Sequence, residues 1–130
     1  MTSMHFSISL AQQKLQLVAT SLGRDMNIAL FGGDRAHIGA MALAQNRPSL
    51  QTPGKVSAST SVITVCGHKE DQLAKYVAEQ VAVKIDAIVT VSCGIHFDDI
   101  DDATLNAIPT AVDSLINQLF DAIDAQKRQD

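Results

Sequence analysis

Three short segments hold most of the side chains that could do chemistry in this 130-residue chain. They are Gly32-Gly33-Asp34-Arg35-Ala36-His37-Ile38-Gly39-Ala40, Cys66-Gly67-His68-Lys69-Glu70-Asp71 and Cys93-Gly94-Ile95-His96-Phe97-Asp98-Asp99. His37, His68 and His96 each sit close behind a glycine at the end of an apolar run, with Asp or Glu nearby. The second and third segments repeat one device: apolar run, Cys, Gly, His, acidic residues. An imidazole beside a carboxylate can move a proton, ligate a metal or hold an anion, because it changes charge near neutral pH. The remaining histidine, His5, lies early in an alternating run and reads as structural or solvent-facing.

Three chemistries compete for these residues. Cys66, His68, Cys93 and His96 have the ligand types of a Cys2His2 zinc site. Both cysteines, however, close apolar runs, where a free thiol packs as a small hydrophobe. A Cys–His nucleophile at a helix start would have an activated thiol, but no third orienting group is evident. The acidic pairs Asp98-Asp99 and Asp101-Asp102 suit the positive end of a helix dipole better than acid–base work. Anion binding fits best. Gly67-His68-Lys69 precedes a helix whose first N–H groups have no partner within it. Gly32-Gly33 leave room for a ligand, Arg35 and His37 supply donors, and Asp34 is placed to orient them. Glu70 and Asp71 compete for the same helix start. Residue chemistry alone thus points to a phosphate-bearing small molecule held between two loops.

The elements that must position these loops follow from periodicity. His5–Leu10 and Lys14–Leu22 alternate as a hairpin around Ala11-Gln12-Gln13. Gly23-Arg24-Asp25 turns into a buried strand, Asn27–Phe31, and Ile38–Ala44 reads as a fourth strand. The run 46–60, with two Pro, one Gly and three Ser, reads as a loop longer than the usual connection, placed to cover a ligand. Ser61–Cys66 is a short strand. In Gln72–Ile85, Leu73, Val77, Val81 and Ile85 recur every four residues, which predicts an amphipathic helix. Ala87–Cys93 is a further buried strand, and a last helix is expected from about Thr110 to Ala125, with Pro109 at its first turn. The fold class predicted is α+β in a single domain over 1–130: an antiparallel four-strand meander followed by a β-α-β-α unit. The strand–helix–strand part is expected to be parallel and right-handed. Both Cys-Gly-His devices then project from one carboxyl edge of the sheet, where ligands of open α/β sheets bind.

Composition narrows the function classes. Hydrophobic residues make up 46% and charged residues 18% of the chain, a globular rather than disordered balance. A net charge of -4, with no Lys/Arg cluster, gives no reason to expect nucleic acid. No apolar run reaches membrane-spanning length, and Met1–Leu10 does not read as a signal peptide, so a cytoplasmic protein with reduced thiols is expected.

The blocks Gly33-Asp34-x-x-His37-Ile38-Gly39-Ala40, Gly67-His68-Lys69-Glu70 and Gly94-Ile95-His96 together resemble the small accessory proteins of gallate decarboxylase and their relatives, the prenylated-flavin chaperone family. The similarity runs from about Asn27 to Ile100 in order and spacing. Ala36 stands where the family pattern has proline. The resemblance implies a prenylated-flavin chaperone with a fold similar to proteasome-assembly chaperones, which commonly pair. It implies an accessory protein without catalytic residues of its own, binding prenylated FMN or FMN for the large subunit of a UbiD-type decarboxylase. Expected cofactor contacts are Gly32, Gly33, Asp34, Arg35, His37 and Gly39 on the first loop. On the others they are Gly67, His68, Lys69, Glu70 and His96. A homodimer is expected. The alternatives are a small metal- or His-dependent hydrolase or lyase, and a purely structural component of a decarboxylase complex.

Overall fold

A computed structural model describes residues 2–65 and 70–129. Along the chain run β1 (Ser3–Leu10), β2 (Gln13–Leu22), β3 (Asp25–Gly33), β4 (Ala40–Pro48), β5 (Val56–Thr64), α1 (Asp71–Ile85), β6 (Val89–His96) and α2 (Asp102–Gln129). The six strands form one sheet in the order β1-β2-β3-β6-β4-β5. The class is α+β, as the sequence implies, but the meander ends after three strands. β6 inserts between β3 and β4, parallel to β3 and antiparallel to β4. Burial explains the displacement. Val89, Val91 and Cys93 of β6 are fully buried, and a central position covers them from both sides. β5 and β6 run in the same direction, as expected of the strand–helix–strand unit, yet β4 lies between them.

Both helices lie on one face of the sheet, α1 over β4, β5 and β6, and α2 over β1 and β2. Alternate residues of the strands supply that face: Leu15, Leu17, Ile28, Leu30, Val91 and Cys93 are fully buried. Ala40, Ala42 and Ala44 on β4 meet Ala74, Ala78 and Ala82 on α1. Small residues on both surfaces let the helix approach closely, which suits a chain with few aromatics. Val77, Val81, Val112, Leu115 and Leu119 complete the core. Among the described residues, no helix is long and apolar enough to cross a membrane.

Two expected boundaries move. The run 46–60 is mostly strand: β4 extends to Pro48 and β5 begins at Val56, so only 49–55 is loop. Its serines mislead because Ser57, Ser59 and Ser61 alternate with Ala58, Thr60 and Val62 on an edge strand whose outer face is wet. Pro48 pairs with Val56 at the end of the sheet opposite Cys93, so this loop lies away from the carboxyl edge and does not cover it. Helix α2 starts at Asp102, which places Pro109 inside it rather than in its first turn. Asp101 supplies the earlier start: its side chain accepts the Thr104 N–H at 2.7 Å, and its carbonyl accepts the Leu105 N–H. The Thr104 side chain, followed by the Thr104 N–H, holds the Asp101 carboxyl below its usual pKa.

The β1–β2 hairpin contains a local conflict. Ala11 and Gln12 both have positive φ (51° and 65°), the conformation of a two-residue hairpin turn that favours Asn and Gly. An alanine or glutamine there costs roughly 1 kcal/mol or more. The double variant Ala11→Asn/Gln12→Gly is therefore expected to raise the midpoint of denaturant unfolding with an unchanged slope. An equal or lower midpoint would contradict the turn assignment.

Candidate functional site

Because β6 lies between β3 and β4, the connection between those two strands must step over the carboxyl end of β6. That connection is Asp34–Gly39. Gly94 of β6 lies directly beneath it, where a Cβ would overlap the His37 carbonyl. Gly33, at φ 83°, is pressed against the His96 backbone in the same way. The His96 carbonyl accepts the Asp34 N–H at 2.7 Å and the Arg35 N–H at 3.3 Å, and Gly39 N–H donates to the Cys93 carbonyl at 2.9 Å. The glycines thus serve close backbone passage: a Cβ at Gly32 would meet the Lys14 backbone and one at Gly33 the His96 backbone.

This crossing brings two histidine–carboxylate pairs together. His37 donates through Nε2 to Glu70 Oε1 at 2.9 Å, and both side chains are largely buried, 19% and 13% exposed. His96 donates through Nε2 to Asp98 Oδ1 at 2.9 Å in a more open setting. The two imidazoles meet edge to face, with ring centres 6.3 Å apart. Gly39 lies against the Glu70 carboxylate, where a Cβ would collide with it. Glu70 caps α1 by position only, since its side chain makes no cap bond to the helix.

Beside these pairs lies a groove of about 800 Å³ between the first turns of α1, the end of β6 and the first half of α2. Leu73, Ile95, Phe97, Ile100, Leu105 and Ile108 form its apolar walls, and Glu70, Gln72 and His96 lie at its sheet end. Tyr76 donates to Asp113 across the helices at 2.7 Å. That bond, followed by burial and the Asp113 charge, raises the Tyr76 pKa above its ordinary value. An opening of this size with apolar walls and a few polar groups at one end has the character of a small-molecule site.

The expected site residues fare differently. Asp34, Arg35, His37, Gly39, Glu70 and His96 gather at one edge, as the carboxyl-edge reading requires. Gly67, His68 and Lys69, with Cys66, lie outside the described residues. Asp34 does not orient Arg35 or His37. Its carboxylate accepts from Gln13 Nε2 at 2.9 Å and from the Asp98 N–H at 2.8 Å, tying the β1–β2 end to the segment after β6. Glu70 holds His37 instead. Cys93 is fully buried in the core, and burial, reinforced by the Glu70 charge, pushes its thiol up to about 12, so it supplies no thiolate nucleophile near neutral pH. Among the described residues, no three His, Cys, Asp or Glu side chains gather as a metal site would require. Of the aromatics available for stacking, Tyr76 and Phe97 line the groove and Phe31 does not. The walls from Ile100 to Pro109 are not legible in the sequence, because Pro109 marks a helix start and leaves that stretch looking like a loop.

Comparison with known proteins adds three findings. No curated protein matches the chain. A chain of a solved structure, described as a novel chaperone complex for yeast 20S proteasome assembly, is 14% identical and aligns over 89% of this chain and 99% of its own, with a TM-score of 0.49. A family model described as the prenylated flavin chaperone LpdD-like domain matches residues 9–124, a span that takes in the end of β1, all of β2 to β6, α1 and most of α2. The chain therefore belongs to the prenylated flavin chaperone LpdD-like family.

Proposed function

We propose that this protein binds prenylated FMN, or FMN, in the groove between α1 and α2 and delivers it to the large subunit of a UbiD-type decarboxylase. The observation that carries this reading is a groove of ligand size at the carboxyl edge of the sheet, in a chain of a prenylated-flavin chaperone family. The apolar walls fit a tricyclic ring enlarged by a prenyl-derived ring, and the polar groups at the sheet end fit the polar end of that ring. Tyr76 and Phe97 are the aromatic surfaces for stacking. Arg35, exposed on the crossing segment, and Lys69, the residue before Glu70, are the cations assigned to the phosphate. His96, held by Asp98, is the imidazole on the groove wall, and His37 stands behind Glu70. The bound group supplies the decarboxylase with its reactive chemistry; this chain binds, orients and shields it without catalysing a reaction.

We also propose that the protein works as a homodimer joined through the sheet face that carries no helices, which leaves both grooves facing outward. The binding reading is tested by titrating the purified protein with prenylated FMN. A saturable absorbance change at one flavin per chain is expected, followed by reversal when the apo decarboxylase is added. A protein that retains no chromophore and leaves the flavin spectrum unchanged would contradict it.

A further inference from the structure

β5 ends the sheet beside β4, and among the described residues nothing pairs with its outer side. Folded proteins blunt such edges with charge, proline or a bulge, because unpaired N–H and C=O groups recruit another strand. From Val56 to Thr64 there is no charged residue and no proline, and the register against β4 runs without a bulge. Two bonds at the ends of the ladder fix which backbone groups face outward. The Ser49 N–H donates to the Lys55 carbonyl at 2.8 Å, and the Val65 N–H donates to the Gly39 carbonyl at 2.8 Å. Backbone groups alternate in direction along a strand, so Ser57, Ser59, Ser61 and Ile63 turn theirs toward β4. Val56, Ala58, Thr60 and Val62 turn theirs outward.

The edge also reads nearly the same in both directions. Val56-Ser57-Ala58-Ser59-Thr60-Ser61-Val62 is symmetric in residue type about Ser59, apart from Ala58 against Thr60. We infer that the β5 edge is a self-association surface: two copies join antiparallel through β5 about a two-fold axis at Ser59, so that one sheet runs through both. Val56 then lies opposite Val62 and Ala58 opposite Thr60, the residues with outward backbone groups, and each such pair exchanges two N–H···O bonds. Ser57 falls opposite Ser61, and Ser59 opposite its own copy, where side chains approach most closely and hydroxyls bond one another. A register shifted by two residues sets Ser57 against Ile63 or Lys55 against Ser61 and loses the match. The axis is perpendicular to the sheet, so both helix layers stay on one side and the two grooves open at opposite ends. The face-to-face contact proposed above uses the other face, and edge pairing adds to it. Arg47 sets a limit on the strength of the edge contact. Its Nε donates to Ser59 Oγ at 2.8 Å, which brings the guanidinium of each copy near the axis. Like charges there oppose association, so the edges pair only in concentrated protein.

The test runs sedimentation velocity and residue-resolved amide exchange on dilute and on millimolar protein, for the native chain and Thr60→Pro. Proline at position 60 removes an outward N–H and leaves the ladder with β4 intact. The mass of the native protein is expected to double between the two concentrations. In the concentrated sample the Ala58, Thr60 and Val62 N–H groups should exchange about 10-fold more slowly, as a contact formed nine-tenths of the time requires. Those of Ser57, Ser59 and Ser61 should be protected at both concentrations. Thr60→Pro should keep its dilute mass throughout. A native mass independent of concentration would overturn the inference. So would a doubling that leaves exchange at Ala58, Thr60 and Val62 unchanged, or one that persists in Thr60→Pro. The exchange measurement uses the native chain alone, so it decides the matter even if Thr60→Pro does not fold. The face-to-face contact is read separately, from the dilute mass: a single chain there contradicts that contact and leaves the edge pairing standing.

Discussion

Gly94→Ala is expected to destabilise the protein by about 3 kcal/mol, lowering the thermal midpoint by about 10 °C. The same change at Ser92, two residues earlier on the same face of β6, should have little effect. One methyl group has so large an effect because its neighbour is backbone. A Cβ at Gly94 would overlap the His37 carbonyl and lie 3.1 Å from the Ile38 nitrogen. No rotamer can relieve a clash with main chain, so the Asp34–Gly39 crossing must lift or β6 must drop. Either movement disturbs the Gly39 N–H bond to the Cys93 carbonyl and draws His37 away from Glu70. Flavin affinity should therefore fall together with stability. A Gly94→Ala protein with native stability and a native His37 signal in NMR would show that the crossing does not run as described.

Ile63→Lys is expected to turn a dimer into a monomer with nearly unchanged fold stability. The face of the sheet opposite the helices carries Ile63, Met41 and Leu43 at 74%, 45% and 36% exposure. Cross-strand register aligns Ile63, Met41, Ser92, Ala29 and Val18 in one row. Charged residues on this face, Lys14, Asp25 and Arg47, lie at strand ends, and its middle carries only apolar, Ser, Thr, Asn, Gln and His side chains. Hydroxyl and amide groups both donate and accept, so such a surface complements a second copy of itself across a two-fold axis. Depletion of charge at the centre of a patch is the composition of a stable interface rather than of a transient, electrostatically guided one. A lysine at position 63 would place a charge on the most exposed apolar side chain of that face. Light scattering should report twice the chain mass for the native protein and the chain mass for the variant. A monomeric native protein, or a variant that still dimerises, would contradict this assignment.

How far the sequence predicts the molecule can be followed residue by residue. The hairpin, the buried strand at Asn27–Phe31, α1 and the α+β class all follow from local periodicity, because one face of each element is dry. The place of β6 does not. Its partners are set by competition among strands far apart in the chain, and the most apolar strand takes the centre. The gathering of His37, His96 and Glu70 at one edge is legible from the repeated strand-Gly-His pattern. The pairing of His37 with Glu70, 33 residues apart, is not, since Asp34 is the nearer acid. Geometry gives Asp34 a different task, between Gln13 and Asp98. The groove is hidden for a related reason: Pro109 is a strong mark of a helix start, yet Asp101 begins α2 earlier and brings Leu105 and Ile108 to the groove wall.

The central claim is that prenylated flavin occupies the groove between α1 and α2 at the carboxyl edge of the sheet. A crystal structure of the protein grown with prenylated FMN tests it most directly. The ring is predicted to lie between Tyr76, Phe97 and Ile108, with its polar edge toward the sheet end of the groove. Clear flavin density on the open sheet face, or anywhere away from these residues, would contradict it.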